Sequence, residues 1–269
     1  MQKLKGWKWL TILCLLWTGY AHTSEFSEDA NSHSTVVQVS TIQALLKGVY
    51  DGEMTFKQLK TFGDFGMGTF NGLNGEMVAF SGQFYQVKDD GTVHLVPNNL
   101  KTPYATVHFF QTDKVVTLKA PIQSYQHFQN ELDRHLPSRN RPYAFKVMGT
   151  FDYLKTRSVS KQSQPYSPLV KVVAHQSIFE MENITGTAVG YWFPDYMDKL
   201  NVPGYHLHFI SQDKQHGGHV LNCRFSTATI AIDFIDSVHL LIPQNTAFQG
   251  ANLSSYSQEE LDKVEKDKD

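Results

Sequence analysis

Residues 204–225 read GYHLHFISQDKQHGGHVLNCRF, and the reading of this stretch decides the fold. Tyr205, Leu207, Phe209 and Ile210 give its first part strand character, so His206 and His208 leave the same face, roughly 6.6 Å apart along the strand. The polar run SQDKQHGG (211–218) ends in paired glycines and reads as a hairpin connection, after which HVLNCRF (219–225) resumes the strand pattern. One antiparallel register sets His208 opposite His219, and another, shifted by two, sets His206 opposite it. Either brings three imidazoles to one face, whereas a slip by one residue sends His219 to the other. His216 falls in the connection and reads as a loop residue. Three neutral histidines with no neighbouring cysteine in the set fit a zinc-type site that keeps open coordination positions. Iron, manganese, nickel or cobalt suit the same donors. Cys223 shares strand parity with His219 and can look toward the metal, although a small buried hydrophobe is the favoured reading.

Working outward, Thr41 is placed to cap a helix over IQALLKG (42–48), and Thr55 one over FKQLKTF (56–62). The period then changes. Strand segments 68–73 and 76–82 flank Asn74-Gly75, and 84–87 and 92–97 flank a turn ending in Asp90-Gly91, both hairpin signals. Strands ATVHFF (105–110) and KVVTLKA (114–120) precede a helix marked by Ile122, Phe128, Leu132 and Leu136 and stopped by Pro137. Two further strands, 144–159 and 169–182, flank the loop KQSQPYSP (161–168). Nearly everything from 185 to 243 reads as strand. Ser257 and Glu260 form a capping box ahead of Leu261 and Val264 in a final helix. The pattern predicts an α/β (mixed α+β) fold with two subdomains: an N-terminal mixed β-sheet with helices over 39–165, and over 166–269 a mainly antiparallel β-sheet or half-barrel that carries the metal site and a helical tail.

Residues 1–21 carry Lys3, Lys5 and Lys8 before an apolar run from Trp9 to Trp17, with Gly19 and Ala21 at small-residue positions. This is a signal-peptide pattern, and it implies an exported, periplasmic or secreted protein. Residues 22–38 are expected to form a flexible N-terminus. Of the two cysteines, Cys14 leaves with the leader, so Cys223 has no partner for an internal disulfide. The 24 basic and 26 acidic residues give a net charge of −2, which excludes a broad polyanion-binding role.

The string GYHLHFISQDKQHGGHV, with GTAVGYWFP (186–194) before it, resembles the metal-binding segment of the α-acetolactate decarboxylase family. GDFGMGTFNGLNGEMVAFSGQFYQV (63–87) and the strand end Lys155-Thr156-Arg157-Ser158 resemble the same family, in family order. The resemblance implies conversion of (S)-2-acetolactate to (R)-acetoin and carbon dioxide, a divalent metal, usually Zn2+, in a cleft between two subdomains, and a homodimer. Carried over, it implies His206, His208 and His219 as metal ligands, Arg157 as the active-site arginine, Glu76 as one active-site glutamate and Thr69 close to substrate. A second glutamate comes from the C-terminal tail, where Glu265 matches best and Glu259 or Glu260 are the other choices.

Decarboxylation of a β-keto acid needs an electron sink, and a metal chelating the ketone and hydroxyl oxygens supplies one. Arg157 offers a planar fork for the carboxylate. Stereospecific protonation calls for a positioned acid, a task for Glu76 or Glu265 with a raised pKa. Two other classes compete. A cupin-like oxygenase or isomerase needs a glutamate four or five residues after the second histidine, where Gln212 and Asp213 stand. A non-catalytic exported metal-binding protein could draw on the sequons at Asn183 and Asn252, although such tripeptides are common by chance.

Overall fold

The computed structural model describes residues 33–254 and 258–265; the signal-peptide pattern and Ser257 of the capping box lie outside the described residues. In chain order the elements begin β1 (Thr35–Val39), α1 (Ile42–Leu46), β2 (Met54–Thr55), α2 (Phe56–Leu59), β3 (Phe65–Thr69), β4 (Glu76–Phe80), β5 (Gln83–Val87) and β6 (Val93–Leu95). They continue β7 (Lys101–Thr102), β8 (Ala105–His108), β9 (Lys114–Leu118), α3 (Tyr125–Asp133), β10 (Tyr143–Ser158), α4 (Leu169–Val172) and β11 (Ser177–Phe193). The last are β12 (Gly204–Ser211), β13 (Gly217–Arg224), β14 (Ala228–Phe234), β15 (Ser237–Leu241), α5 (Thr246–Gly250) and α6 (Gln258–Glu265).

Side-chain caps start the helices where the sequence puts them. Thr41 accepts from the Ala44 N–H, and Thr55 with Gln58 makes a reciprocal capping box. Ser124 caps α3, which ends at Asp133, so Ile122 and Leu136 flank the helix rather than belong to it. The predicted strand over 169–182 is half right. Pro168 opens a helical turn that buries Leu169, Val172 and Val173 against α1 and α6, and extended structure begins only at Ser177. The expected flexibility of 22–38 fails at its end, because 35–38 lie in β1 and are buried.

The strands form a seven-stranded sheet, β15-β1-β8-β3-β4-β5-β6, and a six-stranded one, β11-β12-β13-β10-β14-β9. β10 pairs with β11 along one edge, and its other edge serves β14 over Tyr143–Gly149 and β13 over Tyr153–Arg157. The ring β10-β11-β12-β13 therefore closes on itself, where a half-barrel would stay open. The sheets do not follow a cut near residue 165. β9 and β10 join the second sheet, and β15 returns to lie parallel to β1 in the first. Parallel pairing needs a distant partner strand, which local patterning does not advertise.

One apolar layer, with Phe65, Met67 and Val78 from the first sheet and Val189, Phe193 and Ile210 from the second, lies between the sheets. A second fills the six-stranded sheet beneath Phe128 and Leu132 of α3. A buried polar link also joins the sheets. His108 on β8 pairs through Nδ1 with the Tyr191 hydroxyl (2.9 Å) and through Nε2 with the Asp233 carboxylate (3.2 Å).

Candidate active site

The site starts with the register of the 204–225 hairpin. His208 lies directly opposite His219 on β12 and β13, and His219 lies opposite Arg157 on β10, so the three side chains form one row across three strands. His206, two residues before His208, adds to the same face. The observed pairing is thus the first of the two registers considered. His216 stays in the turn, where its carbonyl accepts from Ser211 N–H.

One nitrogen from each of the three imidazoles lies within 4.8 Å of those of the other two. His208 Nδ1 donates to the Met77 carbonyl (2.8 Å), which fixes the tautomer and turns Nε2 inward, buried and without a hydrogen-bond partner. His206 Nε2 and His219 Nδ1 are 3.0 Å apart. Burial, with help from Arg157 and the neighbouring rings, holds all three well below the usual histidine range, His208 at about 3. Neutral, convergent imidazoles with one orphaned inward nitrogen fit a divalent metal of the zinc type.

Cys223 does not share this face. The β10–β13 register shifts between Lys155 and Thr156, leaving Leu221 unpaired, and this bulge breaks the alternation. Cys223 joins Val220 in the apolar core, where burial pushes its thiol up to about 12.

The other sheet supplies Glu76 and Thr69, which face each other across β3 and β4. The hairpin around Asn74-Gly75 is wider than a two-residue turn: Asn71–Leu73 form a short 3-10 turn inside it. Gly75 has φ +83°, and a Cβ there would lie 2.2 Å from the Val87 carbonyl oxygen, so glycine is needed to deliver Glu76. Glu76 Oε1 lies 3.8 Å from Arg157 Nη1, and Oε2 lies 3.5 Å from His208 Nε2. The Thr69 hydroxyl donates to the Gly75 carbonyl at 2.7 Å, bracing the same turn.

The tail contributes Glu265. Its carboxylate lies 3.5 Å from His206 Nε2 and 3.8 Å from His219 Nε2. Glu260 pairs instead with Lys47, and Glu259 with Lys263, both outside the cavity. Leu261 and Val264 bury the apolar stripe of α6 against α1 and α4, which aims Glu265 inward. Burial raises both Glu76 and Glu265 to about 7, although Arg157 pulls each of them down.

A cavity of about 40 Å³ joins these groups. Thr69, Glu76, Arg157, His206, His208 and Glu265 form its polar side, and Ile42, Leu45, Leu73, Val159 and Leu169 its apolar side. The apolar wall and Tyr104, which also lines the cavity, were not picked out from the sequence. Such residues read there as ordinary core, and only the tertiary fold brings α1, α4 and the 69–76 hairpin together. Asp213, which stands where the cupin pattern needs a glutamate, is exposed in the turn and accepts from Ser211 Oγ and Gln215 N–H. Asn183 is exposed on the long β10–β11 hairpin, and Asn252 Oδ1 is used locally by Ser254.

Comparison with known proteins matches residues 36–255 to the alpha-acetolactate decarboxylase family. The Alpha-acetolactate decarboxylase of Methanosarcina mazei is 45% identical over 236 residues, 88% of this chain and 82% of the relative. That of Methylococcus capsulatus is 42% identical over 230 residues, 86% of this chain and 88% of the relative. The crystal structure of alpha-acetolactate decarboxylase from Bacillus subtilis strain 168 superposes with a TM-score of 0.85 at 37% identity, covering 87% of this chain and all of that one. With the matched span running from the first strand to beyond α5, this chain belongs to the α-acetolactate decarboxylase family, and it is an enzyme of that activity.

Proposed function

We propose that this cavity converts (S)-2-acetolactate to (R)-acetoin and carbon dioxide, with a divalent metal, zinc first among them, held by His206, His208 and His219. The observation that carries this reading is the three-histidine cluster, two of whose imidazoles, His206 and His208, line one cavity with a buried guanidinium and two glutamates. When bound there, the metal supplies Lewis-acid polarisation of the substrate's ketone and hydroxyl oxygens.

The chain's own residues do the rest. Arg157, 4% exposed and with Nε free of any hydrogen bond, holds the substrate carboxylate by its planar edge until the C–C bond breaks. The electron pair left behind is taken up by the ketone oxygen, and a proton must then reach carbon from one side. Glu76 and Glu265 stand on different elements around the cavity, and a carboxyl titrating near 7 keeps its proton for part of the time at neutral pH. One of the pair gives the proton to carbon, and the other orders the substrate hydroxyl. Thr69 holds the Glu76 turn and presents its oxygen to the substrate. The apolar wall takes the substrate's methyl groups and keeps water out. Export through the leader and assembly as a homodimer belong to the same reading.

An acetoin colour assay on purified protein tests it. Activity should disappear with a chelator and return with zinc, and His208→Ala should abolish both turnover and stoichiometric metal. Acetoin release above the spontaneous rate that ignores chelation would overturn the metal-dependent mechanism.

A further inference from the structure

Tyr104 lies between β7 and β8, and its backbone is held from three directions. Its N–H donates to Thr102 Oγ1 (3.1 Å), the Thr102 hydroxyl donates back to its carbonyl (2.8 Å), and the Thr69 N–H donates to that same carbonyl (3.1 Å). Residue 68 must be small for this approach, since a Cβ there would lie 2.4 Å from the Tyr104 carbonyl oxygen. The ring packs among Leu45, Leu73, Val159 and Leu169, so with only two side-chain torsions the hydroxyl position is set.

That hydroxyl is buried and has no hydrogen-bond partner, and the residue is 4% exposed. Gln38 and Thr106 lie close enough to stabilise its deprotonated form, but neither meets it in hydrogen-bond geometry, and both are engaged with one another. Thr106 Oγ1 donates to Gln38 Oε1 (2.7 Å), and Asn201 Nδ2 donates to both, at 2.7 and 2.9 Å. Tyr104 also lines the cavity, together with Glu76, Arg157, His206, His208 and Glu265, and the Glu265 carboxylate is near enough to act on its phenol. A buried O–H without an acceptor is a standing cost to the fold, and phenylalanine would fill the same space without it.

We propose that Tyr104 is a further substrate-binding residue, whose phenol O–H donates a hydrogen bond to an oxygen of the keto acid held in this cavity. The role is that of a donor and not a base, because burial and the nearby Glu265 both oppose loss of the phenol proton. The inference rests on the decarboxylase reading of the site given above.

Tyr104→Phe tests it, with three measurements on wild type and variant: melting of the chelator-treated protein, bound zinc per chain, and kcat and KM for acetolactate. The expected result is an unchanged or raised melting temperature, full zinc occupancy, and kcat/KM lowered about 10- to 100-fold, as for loss of one hydrogen bond in a dry site. A kcat/KM within about twofold of wild type overturns the proposal. So does a metal-free melting temperature lowered by more than about 2 °C, because the hydroxyl then belongs to the Gln38, Thr106 and Asn201 cluster. If wild type itself releases no acetoin, the reading of the site fails and this inference falls with it, an outcome visible before the variant is made.

Discussion

Replacing Arg157 with methionine removes the guanidinium while keeping much of its apolar stem. Arg157 reaches the cavity from β10 opposite His219, its Nη1 is 3.8 Å from Glu76, and its Nε has no partner. The free edge can give a carboxylate two charge-assisted hydrogen bonds, each worth about 1.5–3 kcal/mol. Losing both costs about 3–6 kcal/mol, which at 1.4 kcal/mol per factor of ten is a fall of about 10²- to 10⁴-fold in kcat/KM. Arg157→Lys keeps a cation and one donor, so its loss should be about 10- to 150-fold and should appear chiefly in KM. The two variants also differ in pH response. Arg157 holds Glu76 below where burial alone would put it, so methionine lets that carboxyl rise above about 7 and moves the limb of the pH–rate profile it controls to higher pH, whereas lysine leaves the limb in place. Acetoin formation measured against substrate concentration from pH 5 to 8, with metal content determined for each protein, gives both quantities. An Arg157→Met enzyme with full metal and kcat/KM within about threefold of wild type would refute the carboxylate-binding role.

In the metal-free protein Glu76 favours the native state in its protonated form, so the stability it contributes falls as pH rises from its ordinary 4.5 through about 7. Glu76→Gln should therefore melt above wild type at pH 8 and level with it at pH 4, and a pH-independent difference would count against the buried, raised carboxyl. Gly75→Ala forces a Cβ to within 2.2 Å of the Val87 carbonyl oxygen at φ +83°. It should cost about 2–4 kcal/mol in denaturant unfolding and lower turnover more than 10-fold by displacing Glu76. Truncation after Ser254 deletes Glu265 together with the buried Leu261 and Val264. Zinc binding by the three histidines should survive, while turnover falls at least 100-fold and acetoin loses enantiomeric purity, as chiral chromatography would detect.

The local signals of this chain carried far. Thr41 and Thr55 cap helices because a side-chain oxygen three residues from a free N–H needs nothing distant. The three-histidine geometry was legible for a similar reason: strand alternation fixes the facing of His206 and His208, and a hairpin limits His219 to a few registers. What failed was non-local. Leu169 to Val172 have strand-like composition, yet a proline and a waiting apolar face on α1 and α6 make them helical. The Leu221 bulge, which turns Cys223 into the core, responds to the partner strand β10 and leaves no mark in the sequence. Arg157, Glu76 and Glu265 were visible only through the family resemblance, since each alone is an ordinary charged residue at the end of an element.

The precision of the site is set largely at the end of β5, far in sequence from the histidines. Glu76 belongs to the first sheet and His208 to the second, so the separation of their side chains depends on how the sheets seat against each other. Val87, opposite Glu76 on β5, is where that seating is fixed. Its carbonyl accepts from the Ser158 hydroxyl at 2.9 Å, one residue from Arg157. The same carbonyl is approached by Gly75, and the Val87 side chain by Gly217, where a Cβ would lie 2.8 Å from Cγ2. Gly217 in turn gives its carbonyl to Thr156 at 2.9 Å, beside Arg157 on the other side. Three chain segments that deliver Glu76, Arg157 and His219 thus meet on one residue that touches no substrate. Packed contacts of this kind transmit small displacements instead of absorbing them, so enlarging either glycine should loosen the Glu76 to His208 spacing and cost activity together with stability.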